Sequence, residues 1–171
     1  LSGVDDGDYV LLPDVTLSGA VSFTVLVHVD TLKEACIFKL GNSNHDFRLK
    51  VDNADGDADF RMQVAGSSTY YDESDDFFAD AACTGERSAC HVAVTLTTAG
   101  VATYYRDGAA VSTASDSDAL ASSAVTYTAN YLGTCYHNCC NQFLDGSLRQ
   151  FAIFDGKALS AAEVLEVATP H

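Results

Sequence analysis

The sequence predicts an all-β fold: two antiparallel sheets stacked as a sandwich or jelly roll, closed by one short C-terminal helix. Three observations carry that expectation. Short runs rich in Val, Phe, Tyr and Thr recur along the 171 residues, and many alternate in polarity. Turn signals punctuate them. A single stretch near the C-terminus carries the start signal of a helix.

Taken in order, the expected strands begin with "YVLLP" (9–13) and "AVSFTVLVHV" (20–29). In the second, Val21, Phe23, Val25 and Val27 face one way while Ser22, Thr24 and Leu26 face the other, the pattern of a half-buried antiparallel strand. "ACIFKL" (35–40), "DFRLKV" (46–51) and "ADFRMQV" (58–64) follow, the last two joined by "DNADGDAD" (52–59). "CHVAVTLT", "VATYYR" and "AAVST" read as a meander: "TTAG" (97–100) separates the first pair and the Asp-Gly of "RDG" (106–108) turns the second, since Asp and Gly tolerate positive φ. Of Tyr104 and Tyr105, one is expected to face the core. "AVTYT" and "LDGSLRQFAIF" complete the set. "YYDESDDFFADAACTGERSAC" (70–90) reads as the longest irregular stretch. The helix is "LSAAEVLEVA", where Ser160 and Glu163 form a capping box and Val164 and Val167 are placed to cover a sheet. One domain spans residues 1–171, with no internal repeat.

Composition bounds the function. With 47% hydrophobic and 19% charged residues, the chain can bury a real core and is not a disordered segment. Its 24 acidic residues against nine basic ones give a net charge of -15, which repels phosphate backbones and anionic membranes and argues against nucleic-acid binding. Only five of the acids are Glu, and Asp favours turns and caps over helix interiors. No run of 18 apolar residues exists, so membrane insertion is not expected. The start at "LSGVDDGDYV", without Met or a basic-then-apolar leader, reads as a mature or excised segment.

Several stretches together resemble one family: "SGVDDGDYVLLPD", "LSGAVSFTVLVHV", "IFKLG", "HVAVTL", "GVATYYRDGAAVSTAS", "NYLGT" and "FLDGSLRQFAIFDGKALSAAEV". They resemble the laminin-G-like, concanavalin A-like jelly-roll domains, including those related to pentraxins, from Gly3 to about Val167. The most diagnostic parts are "YYRDG", similar to the family's Tyr-x-Asp-Gly hairpin, and the closing strand with its capped helix. The resemblance implies an extracellular, non-enzymatic module that binds sugars, glycoconjugates or protein partners through loops or a sheet face, often near calcium. Fold does not fix function, so the ligand is left open. Where pentraxin-like members carry calcium-holding acids and amides after "LG", this chain has "TCYHNCCNQ". The relatives' cysteine pair would fall on "FTVLVHV" and "HVAVTL", where this chain has Leu26 and only a bordering Cys90, so its disulfides are its own.

The six cysteines are the densest chemical signal. Zinc at Cys135, His137, Cys139 and Cys140 is disfavoured, because adjacent residues of an extended chain point apart and no second ligand pair of standard spacing follows. A reactive thiol beside His137 is the weaker alternative. A disulfide framework fits a secreted or cell-surface chain best. Cys83 and Cys90 are expected to close a short loop, and Cys36 to link with one of Cys135, Cys139 and Cys140. Among the acidic clusters, "DNADGDAD" departs from the EF-hand pattern, lacking a Glu six positions after Gly56. By resemblance, Asp46 matches the family's metal-side loop best, with Asp5 and Asp145 as further calcium ligands. Asn44, Tyr70, Tyr71, Tyr136 and His137 are the candidate ligand contacts, the tyrosines as stacking surfaces for small sugars.

Glucanases share this fold, but a retaining hydrolase needs two carboxylates about 5 Å apart. The nearest run is "DESDDF", where Glu73 and Asp75 are followed by Phe77 instead of Glu. No "GxSxG" turn supports a serine nucleophile. The leading expectation is therefore a non-catalytic extracellular module for carbohydrate or a protein partner, calcium-assisted at most. The alternative is a structural subunit that self-assembles in a filament, wall or appendage. The tightly trimmed ends and the Ser/Thr-rich "VSTASDSDALASSAVTYT" (111–128), fit for O-linked sugars, motivate it.

Overall fold

The computed structural model of the chain describes residues 9–52, 56–64, 67–73, 77–79, 81–84, 89–115, 123–134 and 143–169. In chain order the elements are β1 (Val10–Leu11), β2 (Val15–Leu17), β3 (Val21–Val29), β4 (Ala35–Gly41), β5 (Asp46–Val51), β6 (Ala58–Val64), β7 (Ser67–Glu73), α1 (Ala81–Thr84), β8 (Cys90–Leu96), β9 (Val101–Arg106), β10 (Ala109–Ser115), β11 (Val125–Tyr127), β12 (Ala129–Leu132), β13 (Gly146–Asp155) and α2 (Ala161–Ala168). They form a six-stranded sheet in the order β1-β12-β4-β5-β6-β7 and a five-stranded sheet in the order β10-β9-β8-β3-β13, with a small β11-β2 ribbon. Every pairing is antiparallel.

Alternation along the strands builds the core. Phe23, Val25 and Val27 of β3 and Val92, Val94 and Leu96 of β8 meet Phe38, Leu40, Phe47, Leu49, Phe60 and Met62 of the six-stranded sheet in one buried cluster. The Phe23 ring lies 4.8 Å from that of Phe38 and 5.3 Å from that of Phe47, so the two sheets lock through aromatic contacts. Each such side chain contributes roughly 1.5–3 kcal/mol by burial. Tyr104 joins this core, and its hydroxyl oxygen accepts from the Phe60 N–H at 3.1 Å across the sandwich. Tyr105 points the other way, beneath α2 with Ala93, Leu159 and Val164.

The strand pattern of the sequence holds, with corrections. β3 is not half-buried. Ser22 and Thr24 are as buried as its apolar face. The reason is α2 and the turn before it: Ser22 Oγ donates to the Lys157 carbonyl at 2.9 Å and accepts from the Leu159 N–H at 2.8 Å. The capping box of α2 forms as expected, although only Val164 is buried and Val167 stays 38% exposed. Residues 70–73 are not irregular: they belong to β7, paired with β6. The four-residue α1 follows, too short to leave a helical period in the sequence.

Candidate functional site

On the outer face of the six-stranded sheet, ladder register converts scattered residues into rows. Tyr131 pairs with Lys39, Lys39 with Arg48, Arg48 with Arg61, and Arg61 with the backbone position of Tyr70. Three of the chain's nine basic residues thus stand side by side in a protein of net charge -15. Acidic groups flank them. Asp46 Oδ1 lies 3.5 Å from Arg61 Nε, and Asp59 Oδ2 lies 3.2 Å from Lys50 Nζ. Lys39, Asp46, Arg48, Lys50 and Asp59 are all buried. Gly41 leaves room for the Lys39 chain, since a Cβ there would meet Lys39 Cε at 3.1 Å.

This electrostatic lattice shifts its members. Burial, the largest influence, pulls the Lys50 ammonium down, but hydrogen bonding to Asp52 and the charge and hydrogen bond of Asp59 outweigh it, and the net displacement is upward. Tyr127 packs its ring 5.4 Å from Phe47, and burial first, then the Asp46 charge, push its phenol far above the ordinary range.

The β4–β5 turn rims this face. Asn42 organises it: its Oδ1 accepts from the Asn44 and His45 N–H groups at 2.9 and 2.8 Å, while its Nδ2 donates to the Thr126 carbonyl at 2.8 Å. The predicted Asn44 sits exposed at the tip of that turn. Asn42 was missed. Its signal was legible, since an Asx residue opening a turn caps the backbone two residues on.

The three expected calcium ligands are not gathered into one site among the described residues. Asp46, on β5, is held by Arg61 of β6, whereas Asp145 stands at the entry to β13 in the other sheet, 3.9 Å from Lys33 Nζ. Asp5 lies outside the described residues. No group of three His, Cys, Asp or Glu side chains poised for a metal occurs among those described. The Asp145 backbone carbonyl accepts from the Asp30 N–H at 2.8 Å.

Cys83 and Cys90 form the expected disulfide, which fastens α1 to the first residue of β8. Cys36 is buried in β4, its Sγ donating to the Phe38 carbonyl at 3.3 Å. The expected partners Cys135, Cys139 and Cys140 lie outside the described residues, as do Tyr136 and His137. The chain that leads to them runs beside Cys36, for the Gly133 N–H donates to the Ile37 carbonyl at 2.9 Å. Tyr70 and Tyr71 occupy successive positions of β7, opposite Arg61 and Phe60. Glu73 ends β7 opposite Ala58, and Asp75 lies outside the described residues.

Two stacked antiparallel sheets, a polar outer face and a capped C-terminal helix define a jelly-roll domain of the lectin type. The chain belongs to the concanavalin A-like lectin/glucanases superfamily, whose laminin-G-type pattern matches residues 4–165. No curated protein matches it. Among solved structures it resembles a native heptameric SAP-like pentraxin from Limulus polyphemus, at 15% identity and a TM-score of 0.62 over 98% of this chain and 78% of the other. It also resembles domain 4 of AbnA, an extracellular GH43 arabinanase from Geobacillus stearothermophilus, in complex with arabinotriose (19% identity, TM-score 0.65, 92% and 71% covered). A third is the botulinum neurotoxin DC binding domain in complex with rat synaptotagmin II (15% identity, TM-score 0.63, 95% and 45% covered). At these identities the likeness shows the fold, and this chain spans less than half of the toxin domain.

Proposed function

We propose that the chain is a non-catalytic extracellular recognition module that binds carbohydrate or a glycoconjugate at the face and rim built by β4, β5 and β6. One observation carries this reading: the two buried carboxylates of the outer face are held against cations, Asp46 by Arg61 and Asp59 by Lys50. A hydrolase of this fold needs one carboxyl free to carry a proton and another free to attack or activate water. A binding face needs only fixed donors and acceptors, and the exposed Asn44 amide on its Asn42-braced turn supplies both. The similar AbnA domain 4 is in complex with arabinotriose, and another similar structure belongs to botulinum neurotoxin type C, whose cell entry is dependent upon interaction with two ganglioside molecules, which supports a sugar-bearing ligand here. The disulfide between Cys83 and Cys90 supports an oxidising compartment.

A glycan array probed with the folded chain, with and without a calcium chelator, tests the reading. Saturable binding to defined glycans that Asn44→Ala weakens is the expected result. Silence on the array sinks it, and loss of binding with chelator assigns calcium a role that the described carboxylates do not explain.

A second reading, self-assembly, rests on a separate observation. β1 is an edge strand of the six-stranded sheet, and Val10 and Leu11 are 54% and 66% exposed there. An exposed apolar edge is a template for pairing with another copy. Ordered polymers in electron micrographs, lost in Leu11→Lys, would favour it.

A further inference from the structure

β13 follows β3 in register except at one point. Arg149 pairs with Leu26 and Ala152 with Thr24, so Gln150 and Phe151 together stand opposite Val25. Phe151 turns into the core, 5.2 Å from the Phe38 ring. Gln150 takes a left-handed backbone with φ +53, uncommon for a residue with a side chain. Bulges of this kind re-aim side chains and open space beside a sheet.

The bulge and the C-terminal end of α2 bound a cavity of about 570 Å³ on the outer face of the five-stranded sheet. That falls within the roughly 300–1,000 Å³ of small-molecule sites. Thr24, Leu26 and His91 form its floor, with Gln150 on one side and Val167 and Ala168 on the other. Leu159, in the turn before α2, and Val164 of α2 cover the neighbouring part of the same face.

Its floor holds polar groups without a hydrogen-bond partner among the described residues. His91 is 4% exposed, and neither ring nitrogen has a hydrogen-bond partner among the described residues. Thr24 is 1% exposed, and its Oγ1 is likewise without one. They occupy diagonal positions on adjacent strands, since Thr24 pairs with Ala93 and Leu26 with His91, close enough for one small molecule to touch both. Buried polar groups are nearly always satisfied, and leaving them bare destabilises the fold.

Asp107 fixes the His91 backbone on both sides: the His91 N–H donates to Asp107 Oδ1 and the Asp107 N–H to the His91 carbonyl, each at 2.8 Å. Burial holds the imidazole below its ordinary pKa against the opposing pull of the Asp107 charge. A neutral imidazole offers one donor and one acceptor, and a threonine hydroxyl offers both. Hydroxyl groups answer that pattern. Among the described residues the lining contains no Lys or Arg for an anion and no Asp or Glu for a cation, while Leu26, Ala152 and Val167 present C–H surface.

We propose that this cavity is a binding site for one neutral sugar residue, its hydroxyls on His91 and Thr24 and its C–H face on Leu26 and Val167. It lies on the sheet opposite to the proposed recognition face and does not depend on it.

The test is an NMR titration of the isotope-labelled chain with the methyl glycosides of glucose, galactose, mannose and N-acetylglucosamine, up to about 50 mM to reach millimolar affinities. At least one glycoside should shift the His91 ring resonances saturably. Thr24→Val and His91→Phe should each weaken that binding by about tenfold or more, the equivalent of one lost well-placed hydrogen bond, while Asn44→Ala leaves it unchanged. Thr24→Val keeps the side-chain shape, so it serves even where His91→Phe does not fold. Unmoved His91 resonances with all four glycosides overturn the proposal and leave a solvent-filled cavity. A glycoside that shifts Asn44 but not His91 also overturns it, and leaves the recognition face standing.

Discussion

Gly108→Ala should loosen the seat of α2, and its cost can be worked from geometry. Asp107 and Gly108 have φ of 50 and 81, the left-handed pair that turns the β9–β10 hairpin. Alanine in that conformation costs about 1–2 kcal/mol. A Cβ at Gly108 would also fall 2.5 Å from Leu165 Cδ1 and 3.0 Å from Leu165 Cα. The exposed Leu165 side chain can swing away, but its Cα moves only with the helix. Such overpacking costs about 1–3 kcal/mol. Lifting α2 off altogether forfeits the burial of Val164, about 1.5–3 kcal/mol, which caps the penalty. The sum is about 2–5 kcal/mol, or roughly 4–20 °C in Tm for a chain of this size. Gly156→Ala is the control, because Gly156 has φ 72 and nothing within 4 Å of an added Cβ. It should cost only the conformational part, about 1–2 kcal/mol. Urea denaturation of the two variants gives the contact energy as a difference. Equal losses would refute the packing argument.

Other consequences are equally concrete. Cys83→Ala/Cys90→Ala should lose about 2.5 kcal/mol by loop entropy, read as a lower urea midpoint than the parent chain's under non-reducing conditions. Ser160→Ala should cost about 1 kcal/mol through the lost cap. Its partner Glu163 has a pKa lowered to about 2 by hydrogen bonds from Lys157 and Ser160, so its support is full above the unfolded value of 4.5 and fades as pH falls toward 2. Ser160→Ala should flatten that acid limb of a Tm-versus-pH curve. Lys50 is raised above 10.5, so its contribution is complete below that pH and is lost as pH climbs through the raised value. Lys50→Met should soften the alkaline loss of Tm. Finally, the ladder that brings Gly133 beside Ile37 supports a link between Cys36 and the 135–140 cysteines, which non-reducing peptide mass spectrometry should detect as a cross-linked fragment. Recovery of Cys36 as a free thiol would contradict it.

The strands were legible because local alternation survives in the fold: Phe23, Val25 and Val27 read the same in sequence and in the core. The β13 bulge was also written there, for Leu148, Phe151 and Ile153 break the period of two. The outer-face row was not. Lys39, Arg48 and Arg61 become neighbours only through register set by β4, β5 and β6, which no local pattern encodes. β7 was hidden by polar "SSTYYDE", whose partner strand decides its conformation. Asn44 carries its expectation in its side-chain chemistry, whereas Asn42 acts by bracing the backbone of the turn, which only the folded contacts display. The burial of His91 and Thr24 depends on where α2 ends, a tertiary fact.

Binding without cleavage is the central claim, and affinity electrophoresis of the folded chain against a panel of soluble polysaccharides, with reducing ends assayed in the same mixtures, tests it most directly. Retarded migration on at least one polysaccharide, with no new reducing ends, is the predicted result. Unretarded migration throughout, or release of reducing ends by the purified chain, would contradict it.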